Sequence, residues 1–470
     1  MDDAFTPDPR AVYDPQSHHH GIPDIRRLGR LTVEAACDTP YLQAVAYHYY
    51  NEHRRALFDA PFLDRDTMRA RQLDRLARLV DHAYAHVPFY RRLYGSVGYE
   101  PGAIRSFRDL ASLPIIDKAI LSGLGDDALL TSGTGEQATF TTRSSGSSGT
   151  PFTTHLDTFD VVRDFAEMLR FFTMATKGRL EREDWIYTIH HGGHWFSSLM
   201  GHYRIFRLMD LEEPEPLARH WALLRPKIVT TLPSYLPKLA QLGALDRFGI
   251  AAVSTNSEMS SRAERDRYAR IFGVPVVDEY SSEEIGFMAT ECCEGQYHVV
   301  EDGVFFETVD CDAGGTGRVV VTDLNNILMP LIRYDHGDLA CLSEGTCRCG
   351  CQGRLVSDLH GRRDDAFLNA SGVLLPTAAL LAICDDLMNE AEFGLASYRL
   401  VQRAPARIDL LFTRHASASA PVETLRRDLA DRLGRLFGHP VDIRAIAVDA
   451  LPQTGSYKRR VLLRQFDGGG

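Results

Sequence analysis

The sequence predicts a large N-terminal α/β domain with parallel sheets, followed by a small α+β domain. Two observations carry this expectation. Short β-branched and aromatic runs alternate with amphipathic helical stretches through the middle of the chain, the pattern of a largely parallel sheet covered by helices. After residue 365 the order changes to a strand pair, a helix and a further strand.

Residues 1–40, rich in Pro, Asp and His, read as a polar N-terminal extension. From about 66 to 95, Met68, Leu73, Leu76, Leu79 and Val80 recur at helical spacing. Strands are expected at 185–189, 227–231, 251–255 and 274–277, with a helix from Ser260 to Phe272. Near 300 the character shifts to two strands, 304–309 and 317–322, joined by a turn at Gly314-Gly315. In the last block a strand pair is expected at 398–401 and 408–412, an amphipathic helix from Val422 to Phe437, and a strand at 441–446.

With 44% hydrophobic and 24% charged residues among 470, the chain can build a sizeable core. The net charge of −11 excludes a general electrostatic attraction to nucleic acid or to an anionic membrane. No apolar run reaches the roughly 18–20 residues of a membrane span. The start, Met1-Asp2-Asp3, lacks the basic and apolar stretches of a signal peptide, so a cytoplasmic protein is expected. Cys292 and Cys293 are adjacent, and Cys341, Cys347, Cys349 and Cys351 crowd together. In a reducing compartment that clustering favours a metal over disulfides.

The densest chemical signal is Thr141–Pro151, where Ser144, Ser145, Ser147 and Ser148 surround Gly146 and Gly149 ahead of Thr150. Glycines admit close approach of backbone to ligand, and hydroxyls and N–H groups suit a polyphosphate. A Walker loop would need a lysine that is absent, and composition by itself also fits a Gly/Ser linker. The loop resembles the phosphate loop of the adenylate-forming superfamily, and the chain is most similar to its phenylacetate–CoA ligase branch. Six further segments carry the resemblance in the same order: His86–Arg92, Thr231–Leu236, Asp278–Gly286, Met329–Leu339, Gly361–Asp365 and Leu451–Lys458.

The resemblance implies an adenylation domain over 41–360, a hinge over 361–365 with Asp364 at its pivot, and a mobile lid domain over 366–470. It implies ATP, Mg²⁺ and coenzyme A as cofactors and a carboxylic acid as substrate. A carrier-protein thiol or an amine is the alternative acceptor, and a non-catalytic binder on the same scaffold is the rival from another class. Glu284 matches the Mg²⁺-binding Glu; the preceding Glu283 stands where the family has Thr or Ser. Asp338 matches the ribose-binding Asp, Arg362 an arginine near the α-phosphate, Lys118 a further basic residue, and Lys458 the lysine that reaches the reacting oxygens. Tyr457 departs from the usual Gly beside that lysine.

Ser257-Glu258-Met259 and Glu279-Tyr280-Ser281 match the segments that enclose adenine. Tyr187, His190, His191, Gly192, Gly193 and Ser282 fall where the acyl pocket is lined, and the glycine pair hints at a planar, aromatic acid. A zinc site from His190, His191 and His194 is conceivable, without a nearby acidic or Cys partner. The turn at Gly372 resembles one that lines the pantetheine tunnel. Some relatives carry a structural zinc, and by that resemblance its ligands are Cys292, His298, Cys347 and Cys349, with Cys293 and Cys351 as substitutes.

Overall fold

The computed structural model describes residues 39–133, 140–144, 152–189, 196–208, 210–211, 213–452 and 459–466. Among them a twelve-stranded mixed sheet organises the large domain, and a four-stranded sheet the small one. Five neighbouring strands run parallel: Arg204–Leu208, Trp185–Ile189, Ile228–Thr231, Ala252–Thr255 and Val276–Ser282. Trp185–Ile189, Ile228–Thr231 and Ala252–Thr255 are buried at every position, as expected of strands covered by helices on both faces.

From Val276–Ser282 onward the sheet turns antiparallel. It continues through Gly286–Glu291, Tyr297–Val299, Leu355–Arg362, Tyr334–Ser343, Thr316–Asp323 and Val304–Val309. The expected largely parallel sheet is therefore a mixed one. The helical crossovers end with Arg262–Phe272, and hairpins, which can only pair antiparallel, take over.

The single helical pattern over 66–95 is two helices, Arg65–His86 and Pro88–Ser96. Pro88 has no N–H to continue the first helix and sits at the start of the second, where none is needed. A helix the sequence reading missed, Pro40–Asp59, begins at an N-cap where Thr39 Oγ1 accepts from Leu42 N at 3.1 Å.

In the small domain Leu395–Ala404 pairs antiparallel with Arg407–Arg414, and Asp442–Ala447 and Leu462–Arg464 flank them in parallel. Leu425, Leu429, Leu433 and Phe437 of the helix Val422–Phe437 are buried at four-residue steps against this sheet. The two domains meet at the 3₁₀ turn Arg363–Asp365, which directly follows the strand Leu355–Arg362. No described helix is long and apolar enough to cross a membrane.

Candidate active site

A cleft of about 640 Å³ opens between the antiparallel half of the large sheet, the 3₁₀ turn and the small domain. This lies in the range of small-molecule sites. Its walls come from segments far apart in sequence, and strand register explains their meeting. Asp338 pairs across the sheet with Arg362, which brings a carboxylate beside a guanidinium. The Arg362 Nη1 lies 3.9 Å from Asp338 Oδ1 and donates to the His336 carbonyl at 3.0 Å.

Asp338 is the electrostatic centre of this wall. Its Oδ2 accepts from the Tyr280 hydroxyl at 2.7 Å and lies 2.7 Å from His336 Nδ1. Burial pushes its pKa upward, but the His336 charge and hydrogen bond, Arg362 and the Tyr280 hydroxyl together hold it below the ordinary carboxylate range. Oδ1 is thereby the oxygen left to a ligand, and a carboxylate oxygen in an ionised group suits a vicinal diol. His336 was not singled out in the sequence; its one signal is its place two residues before Asp338.

Also lining the cleft, Lys118 Nζ donates to Ser144 Oγ at 2.7 Å. Ser144 is the root of the glycine–hydroxyl loop. The strands Phe140–Arg143 and Thr153–Leu156 pair antiparallel, and Ser144 closes the pairing with Phe152 through two 3.0 Å bonds. The rest of that loop, Ser145–Thr150, lies outside the described residues, as do His190, His191, Gly192, Gly193, His194, Tyr457 and Lys458. Desolvation lowers the Lys118 pKa, with the Arg362 cation in the same sense and Glu284 opposing. Lys118, Glu284 and Arg362 thus share one corner of the cleft. Glu284 supplies a hard carboxylate oxygen of the kind Mg²⁺ takes, beside the root of a loop rich in hydroxyls.

Ser257, Glu258 and Met259 border the cleft from the segment after Ala252–Thr255. Ser257 sits at φ 64°, a left-handed conformation that a non-glycine residue adopts at a cost. Glu258 is anchored by Ser234, whose N–H donates at 2.9 Å and whose hydroxyl at 3.1 Å. Met259 packs on the core of the small domain. Ser281 and Ser282 lie on the same border: Ser281 Oγ donates to Glu279 at 3.2 Å and Ser282 Oγ accepts from Ile285 N at 3.2 Å. Asp364 is exposed at the cleft's edge, in the 3₁₀ turn Arg363–Asp365.

Tyr187 was expected in the acyl pocket and does not reach the cleft. It is fully buried, with its ring stacked on Phe206 at 4.9 Å and its hydroxyl 3.0 Å from His220 Nδ1. Strand alternation sends it to the opposite side, against the helix Glu215–Leu224.

Burial, then the neighbouring Asp278, with Asp164 a further contributor, pushes Glu279 up to about 8; burial, then Glu167, Glu283 and Asp323, takes Asp164 to about 7. Raised carboxyl pKa values stabilise the fold at low pH, and the contribution is lost as pH climbs from the unfolded carboxylate range through these values. Glu279→Gln is therefore expected to raise Tm by roughly a few degrees at pH 8 and hardly at pH 5. Thermal unfolding at both pH values checks this, and an equal shift at the two would count against it.

A separate cluster lies where Tyr297–Val299 meets the loop before Leu355–Arg362. The ligand atoms of Cys292, His298, Cys347 and Cys349 all lie within 4.8 Å of one another. Cys292 and Cys347 sulfurs are 3.7 Å apart, and Cys349 Sγ is 3.3 Å from His298 Nε2. A tetrahedral zinc with Zn–S near 2.3 Å would hold two sulfurs about 3.8 Å apart. The geometry therefore fits zinc, and it chooses among the cysteines. Cys351 stays outside the quartet, with its N–H donating to Cys349 Sγ at 3.4 Å, and Cys293 is exposed beside Glu294. Elemental analysis of protein purified without added metal is expected to find one zinc per chain. Cys349→Ser should lose it and lower Tm; a zinc-free, well-folded protein would end this assignment.

No protein-family profile matches the sequence. The chain is 29% identical over 348 residues to phenylacetate–coenzyme A ligase of Thermus thermophilus, covering 68% of this chain and 77% of that one. It is 28% identical to the same-named protein of Aromatoleum evansii, with 68% and 76% covered. Among solved structures it is similar to 2-hydroxyisobutyryl-CoA ligase in the postadenylation state, with TM-score 0.71, 19% identity, and 86% of this chain and 91% of that chain covered. An open conformation of the same protein superposes at TM-score 0.60, again at 19% identity, with 86% and 93% covered. This likeness shows the fold.

Proposed function

Because the chain belongs to the adenylate-forming superfamily, as a distant relative of the phenylacetate–coenzyme A ligases, we propose that it activates a carboxylic acid with ATP and passes the acyl group to coenzyme A. The observation that carries this reading is one cleft that gathers Asp338 with Tyr280 and His336, Arg362 beside it, and Lys118 on Ser144 at the root of the glycine–hydroxyl loop.

In the first half-reaction a carboxylate oxygen of the acid attacks the α-phosphorus of ATP, the bond to the β-phosphate oxygen breaks, and pyrophosphate leaves. Asp338 accepts from the ribose hydroxyls. Lys118, Arg362 and Lys458 offset the negative charge of phosphate and carboxylate, which otherwise repel. Glu284 would hold Mg²⁺, which would offset further negative charge on the phosphates. In the second half-reaction the coenzyme A sulfur, having lost its proton, attacks the acyl carbonyl, and AMP leaves with the electron pair of the acyl–oxygen bond.

An aromatic acid is the substrate class favoured by the phenylacetate–coenzyme A ligases among the relatives, and the Gly192-Gly193 pair in the sequence, with no side chains, agrees with a planar acid. The turn at Gly372, at φ 75°, resembles the family turn that lines the pantetheine tunnel, which agrees with a pantetheine-bearing acceptor. A screen of AMP release over arylacetic, benzoic and short-chain acids, with the product's mass measured in the presence of coenzyme A, tests both parts. Absence of acid-dependent pyrophosphate exchange with every acid would remove the adenylation reading. A short-chain acid preferred by kcat/KM would remove the aromatic one.

A further inference from the structure

Arg459 follows Lys458 and precedes the strand Leu462–Arg464, so its backbone belongs to the small domain. Its side chain does not. The Nη2 reaches both carboxylate oxygens of Glu264 at 3.2 Å and the Met259 carbonyl at 3.4 Å, and the backbone N–H donates to Glu258 Oε1 at 2.6 Å. Glu264 and Glu258 both belong to the large domain. Glu264 lies in the first turn of the helix Arg262–Phe272, and Glu258 is the carboxylate that Ser234 anchors from the other side.

The pair is well shielded, with 19% of the Arg459 side chain and 8% of the Glu264 side chain exposed. A second crossing lies beside it. Ser261, whose hydroxyl caps the same helix by accepting from Glu264 N at 2.9 Å, donates to Asp385 of the small-domain helix Thr377–Asn389. From the other direction Arg399 holds both shoulders of the lysine loop, donating to the Pro452 and Arg460 carbonyls at 2.7 Å each. The loop's ends are thus tied to the small domain, and the residue after the lysine is tied to the large one.

A shielded guanidinium held by the Glu264 carboxylate, with its own backbone N–H held by Glu258, stabilises one domain pose selectively. In that pose, removal of either partner leaves a desolvated charge unmatched, whereas in any pose that separates the domains both groups are hydrated. We propose that Arg459 is a positioning residue: it clamps the chain beside Lys458 onto Glu258 and Glu264, holds the small domain in the pose that forms acyl-AMP, and must let go before the thiol step. This inference rests on the adenylating role proposed above for Lys458.

The two half-reactions separate the outcomes. Pyrophosphate exchange reports adenylation, and thioester formation from supplied acyl-AMP and coenzyme A reports transfer. Both are measured on the full chain for wild type, Arg459→Ala, Arg459→Lys, Glu264→Gln, Lys458→Ala and the exchange Arg459→Glu with Glu264→Arg. Displacing a reacting cation by about 1 Å costs on the order of 100-fold, and a loss of that size in exchange is expected for Arg459→Ala, with transfer kept or faster.

Arg459→Lys, which loses the two-oxygen grip, should fall between Arg459→Ala and wild type. The charge exchange should recover part of the loss, a result that a purely structural role would not produce. If Arg459→Ala misfolds, Glu264→Gln and the charge exchange carry the same test. Wild-type exchange in Arg459→Ala, or an equal fall of both half-reactions in folded protein, overturns the clamp. Should Lys458→Ala spare exchange while Arg459→Ala abolishes it, Arg459 acts otherwise than by placing the lysine, and the lysine's role and the clamp as stated both fall.

Discussion

Lys458→Ala is expected to abolish acyl-AMP formation while supplied acyl-AMP still reacts with coenzyme A. A lysine delivers a compact charge on a flexible stem, which suits oxygens whose charge changes during the reaction. Loss of one such transition-state partner costs on the order of 10²–10³ in kcat. Arg399, bonded to Pro452 and Arg460, holds the two ends of the lysine loop together on the small domain. Whatever moves the small domain therefore moves both ends of that loop.

Asp364→Pro should do the reverse. Asp364 lies in the middle of the 3₁₀ turn between the domains, where the fixed φ of proline is compatible with the turn but not with a large change of backbone angle. Adenylation is expected to survive and transfer to stop. Pyrophosphate exchange and single-turnover thioester formation measure the two. Intact exchange in Lys458→Ala removes the lysine from the chemistry, and an equal loss of both steps in both folded variants removes the two-pose mechanism.

Asp338→Ala is expected to weaken ATP binding by about 2–4 kcal/mol, the worth of a charge-assisted pair of hydrogen bonds. The structure adds a second consequence. Tyr280 and His336 each lie 2.7 Å from the same carboxylate oxygen, so the variant also strands a buried hydroxyl and an imidazole. Asp338→Asn separates the two effects, because it keeps an acceptor for Tyr280 while removing the charge. Its stability should stay nearer wild type than that of Asp338→Ala, with the ATP KM still raised. An unchanged KM for ATP in Asp338→Ala would take this residue out of the nucleotide site.

The sequence by itself determined what depends on neighbours along the chain. Strands between 185 and 277 follow from short apolar and β-branched runs, and the helix Arg262–Phe272 from burial that returns every third to fourth residue. The helix Val422–Phe437 follows from the same rule, with Leu425, Leu429 and Leu433 on one face. Of the motif segments, Asp278–Gly286, Met329–Leu339 and Gly361–Asp365 contribute described residues to the cleft, each legible as a short local run.

Tertiary structure decided what depends on distant partners. Hairpin pairing made half of the large sheet antiparallel, and strand direction is not written in a strand's own period. Tyr187 was lost to the core because alternation gives two faces without saying which one meets a ligand. Of the clustered cysteines, only Cys292, Cys347 and Cys349 converge on His298, since chain folding, not spacing, brings loops some fifty residues apart within ligand reach. Arg459 reads as one more base in a solvated basic run until the fold sets Glu258 and Glu264 against it. An ion pair across such a separation exists only where packing has already met the entropy cost of bringing its partners together.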